Sequence, residues 1–319
     1  MPCICSRIGF RHKHVNPKTG KRRICFNRND ALHPVQEQTM SFGICSHCRV
    51  KKSRDWGLRV ALESQLYQNN CFLTLTYNNE NLPKHSFLDY DAPVLFIKRL
   101  REKFGPGIRT FGCAEYGEKF SRPHYHICLL NFDFPDKKII DKSTANFGVN
   151  KRENYIYDSN ALSALWTAGN ARIGSLTLES ASYVARYCTK KITGQKAQKH
   201  YETFDPASGE ILQRPPESTV CLSVRKGLGH PYYEKYGDYI RRHDKVHLLG
   251  TDYPVPKYFD TLTEKADPDR FEEIKAARKI QGEKAQEVIA NHSDPLRWLT
   301  LERLQELKFK QLIRTIENG

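Results

Sequence analysis

The period of the hydrophobic positions changes several times along this chain, and each change marks an element. Cys71-Phe-Leu-Thr-Leu-Thr-Tyr77 alternates apolar and polar and is rich in β-favouring side chains, so it predicts a strand. Residues 108–115, 124–130 and 173–178 predict three more, and residues 221–224 an edge strand. The 3.6-residue period governs elsewhere. Residues 49–68 place Trp56, Val60, Leu62 and Leu66 on a helical pattern. Residues 93–104 open on Pro93 and end at Gly105-Pro106-Gly107, the punctuation of a short helix. Residues 161–166 and 180–192 are also helical, the second closed by Gly194. Beyond Asp267 the chain is almost entirely helix-forming, with a helix start at Asp294-Pro295. Strands joined over Gly/Pro-rich turns, with helices between them, imply an α+β fold around an antiparallel sheet.

Three regions follow: a basic, Cys-rich leader at 1–48 that reads as irregular, a central domain at 49–235, and a mostly helical region at 236–319. No apolar run approaches the roughly 18 residues of a membrane span, and the first residues lack the apolar stretch of a secretory signal. A soluble, cytoplasmic protein with no membrane partner is therefore expected. Net charge is +15, from 51 Lys and Arg against 36 Asp and Glu, which points to a polyanionic partner, most often nucleic acid. Arg49, Lys51, Lys52 and Arg54 lie on the first helix, where they either contact phosphates or simply solvate its face. Ten cysteines without a secretion signal argue against structural disulfides. Cys45-Ser-His-Cys48 is a CxxC, and with Cys3 and Cys5 it could complete a tetrahedral Zn²⁺ site stapling the leader. Plain buried thiols are the competing reading.

Candidate chemistry comes from three patches. His124 and His126 are two apart in a strand, so both imidazoles leave the same face and form a ready metal clamp. Glu115 ends the preceding strand, and an antiparallel pairing over the loop at 117–123 would bring its carboxylate beside them. Glu118, in that loop, is the weaker carboxylate. Two imidazoles and a carboxylate suit Mg²⁺ or Mn²⁺ acting on a phosphodiester. In the helix at 180–192, Tyr183, Tyr187 and Lys190 lie at i, i+4 and i+7 along one stripe, beside Arg186. Two tyrosines packing at a core edge would explain that pair equally well. Tyrosine ionises near 10 and needs a cation or metal to act as a nucleophile.

Together, Phe72–Tyr77, the His124-Tyr-His126 pair and the run Tyr183-Val-Ala-Arg-Tyr187-Cys-Thr-Lys190 resemble the three ordered motifs of rolling-circle replication initiators, His-hydrophobe-His endonucleases with two tyrosines. The chain is most similar to initiators of microviruses, in particular the gokushovirus branch. Further matching runs are Cys113-Ala-Glu-Tyr-Gly-Glu118, 122–130 and Arg225-Lys-Gly-Leu-Gly229, and the likeness spans about residues 40–235. The resemblance implies a ferredoxin-like, RNA-recognition-like sheet, with Glu115, His124 and His126 on a divalent ion. Tyr183 and Tyr187 would then attack DNA in turn, leaving a 5′-phosphotyrosine and a 3′-OH primer, while Lys190 stabilises the charge. Arg186, Arg225 and Lys226 would join the helix cations on DNA. The partners implied are single-stranded and replicative-form DNA at an origin. A host helicase and polymerase follow too, because no helicase-type phosphate loop occurs. A plasmid relaxase or single-strand transposase would share the chemistry, although a transposase usually carries one tyrosine. A non-catalytic zinc-dependent DNA-binding protein would explain charge and CxxC but not the His and Tyr pairs.

Overall fold

A computed structural model describes residues 7–18, 20–41, 43, 45–117, 120–143, 154–188, 191–192, 195–205, 207–291, 300, 303, 304 and 307. The expected helix start at Asp294-Pro295 lies outside them, as do Cys3, Cys5, Glu118 and Lys190.

A seven-stranded antiparallel sheet forms the centre. Its strands are β4 (Asn70–Thr76), β5 (Arg109–Tyr116), β6 (Pro123–Leu130), β7 (Lys138–Ser143), β8 (Asn154–Asp158), β9 (Ala171–Ser175) and β12 (Ser218–Val220). They lie in the order β12-β5-β6-β4-β9-β8-β7. With the helices described below, this is the α+β architecture expected. Before it come β1 (Arg7–Val15), β2 (Arg22–Cys25) and β3 (Gln38–Met40), which form a separate sheet ordered β2-β1-β3. The leader is thus not irregular. Its short strands escaped a pattern reading because among the described residues only Phe10, Cys25 and Ala31 form its apolar core.

Both faces of the central sheet are covered. On one face Leu73, Leu75, Tyr125, Ile127, Leu129 and Ile173 pack against α2 (Asp91–Phe104) and α3 (Asn160–Leu165) through Phe96, Ile97, Leu100, Leu162 and Leu165. Gly105 ends α2 with φ 95°, and its N–H reaches the Arg101 carbonyl at 2.9 Å, a conformation glycine adopts without strain. The opposite face carries Phe72, Phe111, Cys113, Cys128 and Leu130, covered by α1 (Ser46–Ser64) and α4 (Leu178–Cys188). A reciprocal cap starts α4: the Ser180 N–H donates to Thr177 Oγ1 at 3.2 Å, and the Thr177 N–H to Ser180 Oγ at 2.8 Å. Helix α4 lies so close to α1 that a Cβ on Gly57 would meet the Ser182 backbone at 2.8 Å.

Past the sheet, α5 (Gln195–Tyr201) leads into the hairpin of β10 (Glu202–Phe204) and β11 (Ile211–Gln213). Then α6 (His230–His243), the hairpin of β13 (Lys245–Leu248) and β14 (Thr251–Pro254), α7 (Lys257–Ala266) and α8 (Pro268–Asn291) follow. The α6, β13 and α7 residues Tyr232, Ile240, Val246 and Phe259 pack on Leu58 and Leu62 of α1. The junction expected at 235/236 therefore falls inside α6, and a β-hairpin precedes the final helices. The strand expected at 173–178 is shorter, because Leu178 already belongs to α4. The edge strand expected at 221–224 lies instead at Ser218–Val220, and Cys221 breaks it with φ 52°.

Candidate active site

Registration of three strands builds the site. Glu115 on β5 stands directly opposite His124 on β6, and His126 stands between Cys113 on β5 and Thr74 on β4. Directly paired residues share a face, so Glu115, His124 and His126 converge without any loop having to place them. Glu115 Oε1 lies 3.0 Å from His124 Nε2 and 2.8 Å from His126 Nε2. Each ring is held from behind: His124 Nδ1 lies 3.1 Å from the Arg122 carbonyl and His126 Nδ1 3.0 Å from Thr74 Oγ1. The Phe72 ring stacks on His126 at 5.5 Å.

These contacts constrain the protons. A carbonyl only accepts, so His124 Nδ1 carries a proton and a neutral His124 turns the Nε2 lone pair toward a carboxylate oxygen. A proton on Nε2, or a cation shared by the two groups, relieves that arrangement. Glu115 Oε2 is buried as well and has no hydrogen-bond partner among the described residues. Burial pushes the Glu115 carboxyl up, yet the hydrogen bonds and charge of both histidines outweigh it and hold the group below its ordinary value. The three ligand atoms lie within 4.8 Å of one another, and among the described residues no other such group occurs. Glu115, His124 and His126 can therefore hold a metal ion.

The tyrosines of α4 close over this cluster. The Tyr183 ring meets His126 edge-on at 5.1 Å, and Tyr187 lies 6.0 Å from the same imidazole. The two phenol rings are 4.6 Å apart, and each residue is 1% exposed. Arg186 sits 5.6 Å over the Tyr183 ring, and burial lowers its pKa from the usual guanidinium value. The structure thus brings Glu115, His124, His126, Tyr183, Tyr187 and Arg186 together.

Other residues singled out in the sequence stand elsewhere. Lys51, Lys52 and Arg54 are exposed on α1 and Arg49 is half-buried in its first turn. Arg225 and Lys226 are exposed, and the Lys226 ammonium pairs with Glu234 at 2.9 Å. Cys45 sits at the N-cap of α1 and Cys48 is buried in its first turn.

Several contributors were missed by pattern alone. Thr74 and Phe72 share the parity of their strand with the pairing face, a signal that needed only the β4–β6 register. Glu63 and Arg109 gave no local signal. They form an ion pair between half-buried Arg109 and buried Glu63, and Arg109 also donates to the carbonyls of Arg225 and Lys226 while Glu63 accepts from the Gly229 N–H. The pair fixes the 225–229 run against the sheet from 116 residues away in sequence.

Comparisons with known proteins show the family to which the chain belongs. Residues 70–192, which span the whole cluster, match the family model described as replication-associated protein ORF2/G2P. The chain is 32% identical over 255 residues to the replication-associated protein VP4 of Bdellovibrio phage phiMH2K, covering 76% of this chain and 73% of that one. It is 35% identical over 249 residues to the replication-associated protein ORF2 of Spiroplasma virus 4, covering 71% and 68%. The chain belongs to the family of phage replication-associated proteins. Replication-associated protein ORF4 of Chlamydia phage 1 is 29% identical over 245 residues, 74% of this chain and 57% of the relative. The likeness to microvirus rolling-circle initiators is borne out at the level of the family. No solved structure matches the chain. Among the described residues no helix is long and apolar enough to cross a membrane.

Proposed function

We propose that this replication-associated protein is an origin-specific nicking endonuclease that joins itself to the 5′ end of the cut strand. The observation that carries the reading is the seating of both Tyr183 and Tyr187 on His126, within a cluster fit for a divalent ion. A bare phenol is a weak nucleophile at neutral pH, and it becomes competent only beside positive charge. Mg²⁺ or Mn²⁺ held by Glu115, His124 and His126 would draw charge from a phosphate oxygen. Arg186, and Lys190 by its place in the sequence, supply positive charge on the tyrosine side. The phenol gives up its O–H proton as its oxygen bonds phosphorus, the P–O3′ bond breaks, and the departing 3′ oxygen takes up that one proton, through solvent, to become the primer hydroxyl. The phosphotyrosine keeps the energy of the phosphodiester, so a 3′-OH can reverse the step and reseal the strand. A second phenol lets the protein cut again before the first link is undone. The strand would be single-stranded or replicative-form phage DNA in the host cytoplasm, with host helicase and polymerase extending the primer.

The test is incubation of the protein with a single-stranded origin oligonucleotide and Mn²⁺, resolved on a denaturing gel. An SDS-resistant adduct is expected. The Tyr183→Phe/Tyr187→Phe variant keeps the ring packing, binds the oligonucleotide and gives no adduct. Each single variant still cleaves but fails to complete a cut-and-rejoin cycle. An adduct from the double variant would place the nucleophile elsewhere.

A further inference from the structure

Positive charge is not spread evenly over this chain. Residues 7–41 hold eight Lys and Arg against two carboxylates, contributing six of the fifteen net positive charges, and no Asp or Glu precedes Asp30. The leader sheet concentrates them further. Strand β3 pairs with β1 only over Arg7–Gly9, a bridge from Ala31 to His12 follows on that edge, and Lys13 Nζ donates to the Asn29 carbonyl at 3.4 Å. From Lys13 onward β1 and β2 continue as a two-stranded ribbon. It closes in a turn where the Asn16 N–H reaches the Lys21 carbonyl at 3.0 Å and Gly20 N–H the Asn16 carbonyl at 2.9 Å.

The ribbon presents mostly cations, beside one exposed Val15. Arg11 and Lys13 alternate outward from buried Phe10 and His12, and Lys18 stands exposed in the turn. Between residues 13 and 23 lie Lys13, Lys18, Lys21, Arg22 and Arg23, with no carboxylate and no Phe, Tyr or Trp. Arg22 bonds the His12 and Lys13 carbonyls and Arg23 approaches His12 Nε2 at 3.0 Å, so both stiffen the ribbon. Glu264 of α7 reaches Lys21 at 2.9 Å.

We infer that the β1–β2 ribbon is a duplex-DNA-binding element, distinct from the nicking site and contacting the phosphate backbone along a groove. A two-stranded ribbon has the width that a major groove admits. Single-strand binders rely on aromatic platforms for the bases, and from residue 13 to residue 23 the ribbon offers no Phe, Tyr or Trp and only His14 as an exposed ring, whereas phosphates need only cations. The ribbon would hold the protein on the double-stranded flank of its origin while a separate strand reaches the tyrosines. The inference depends on DNA being the polyanion but not on the tyrosine chemistry.

The experiment compares the full chain with Arg11→Ala/Lys13→Ala/Lys18→Ala, whose side chains take no part in the nicking cluster. Binding to a duplex of about 20 base pairs and to a single strand of equal length is followed by fluorescence anisotropy across a salt series. Each lost phosphate contact lowers the slope of log K against log salt by roughly 0.9, so the triple variant should lose about 2 to 3 on duplex. Its single-strand slope and adduct yield on a single-stranded oligonucleotide should not change. The charge-preserving Arg11→Lys/Lys13→Arg/Lys18→Arg variant should restore the duplex slope, which separates lost charge from a misfolded leader. An unchanged duplex slope, an equal loss on single strands, or failure of the charge-preserving variant would overturn the proposal. Running Tyr183→Phe/Tyr187→Phe alongside keeps the two readings apart, because that variant should lose the adduct and retain the duplex slope.

Discussion

Gly57→Ala sets two physical effects of known size against each other. Gly57 lies inside α1, where replacing glycine by alanine ordinarily stabilises a helix by about 1 kcal/mol. Packing opposes this. A Cβ there would stand 2.8 Å from both Cα and N of Ser182 on α4, where ordinary contact begins at 3.4 Å. Ser182 Oγ, at 2.2 Å, can rotate away, but the backbone atoms cannot. The shortfall of roughly 0.6 Å must be met by parting α1 from α4, and overpacking of this kind costs about 1 to 3 kcal/mol. Packing therefore wins, and unfolding in urea should show a net loss of up to about 2 kcal/mol. The displacement should be felt at the chemistry too, because the next turn of α4 holds Tyr183 and Tyr187 on His126. A misplacement approaching 1 Å costs on the order of 100-fold in rate, so adduct formation should slow by about tenfold or more. A variant that is more stable than the parent and nicks at the same rate would refute the close-packing argument.

Glu115→Gln keeps the size of the side chain and removes its charge, so titration calorimetry with Mn²⁺ should lose its binding heat and the adduct should disappear. Asp136 accepts from Ser159 Oγ at 2.5 Å and from the Ala161 N–H at 2.9 Å at the start of α3, and these bonds hold its carboxyl below the usual value. Its stabilising contribution is thus complete above the ordinary carboxylate range and fades as pH falls through the lowered value, so Asp136→Asn should flatten the acid limb of urea midpoint against pH. For the leader, metal analysis should find about one zinc per chain held by Cys3, Cys5, Cys45 and Cys48. Cys48→Ser should remove it without affecting Mn²⁺ binding.

The central strands were legible because each is buried on at least one face and carries the alternation that burial demands. The His124 and His126 pairing with Glu115 was legible for the same reason: parity within a strand and a short hairpin fix which side chains meet. What escaped depends on tertiary partners. The β7–β8 hairpin lies at the sheet edge and carries exposed Ile139 and Ile140, so burial leaves little pattern there. The tyrosines read as one stripe of a helix, at most at the edge of the core. With α1 on one side and the sheet on the other, Tyr183 and Tyr187 are buried together with Ala181, Val184 and Ala185. Glu63 and Arg109 look like ordinary surface charges until the fold brings them together.

The near-complete burial of both phenols has a kinetic meaning. A phosphodiester cannot reach an oxygen that solvent scarcely touches, so attack by either tyrosine must follow an opening of the cover over α4. If the closed arrangement is favoured by about 2 kcal/mol, only some 3% of molecules are receptive at any moment, and apparent affinity for the scissile strand drops about 30-fold. Contacts made elsewhere on the chain escape that tax. Residence on the origin and commitment to cutting would then be set by different parts of the molecule, and the proposed nucleophiles would stay sheathed until the right strand arrives.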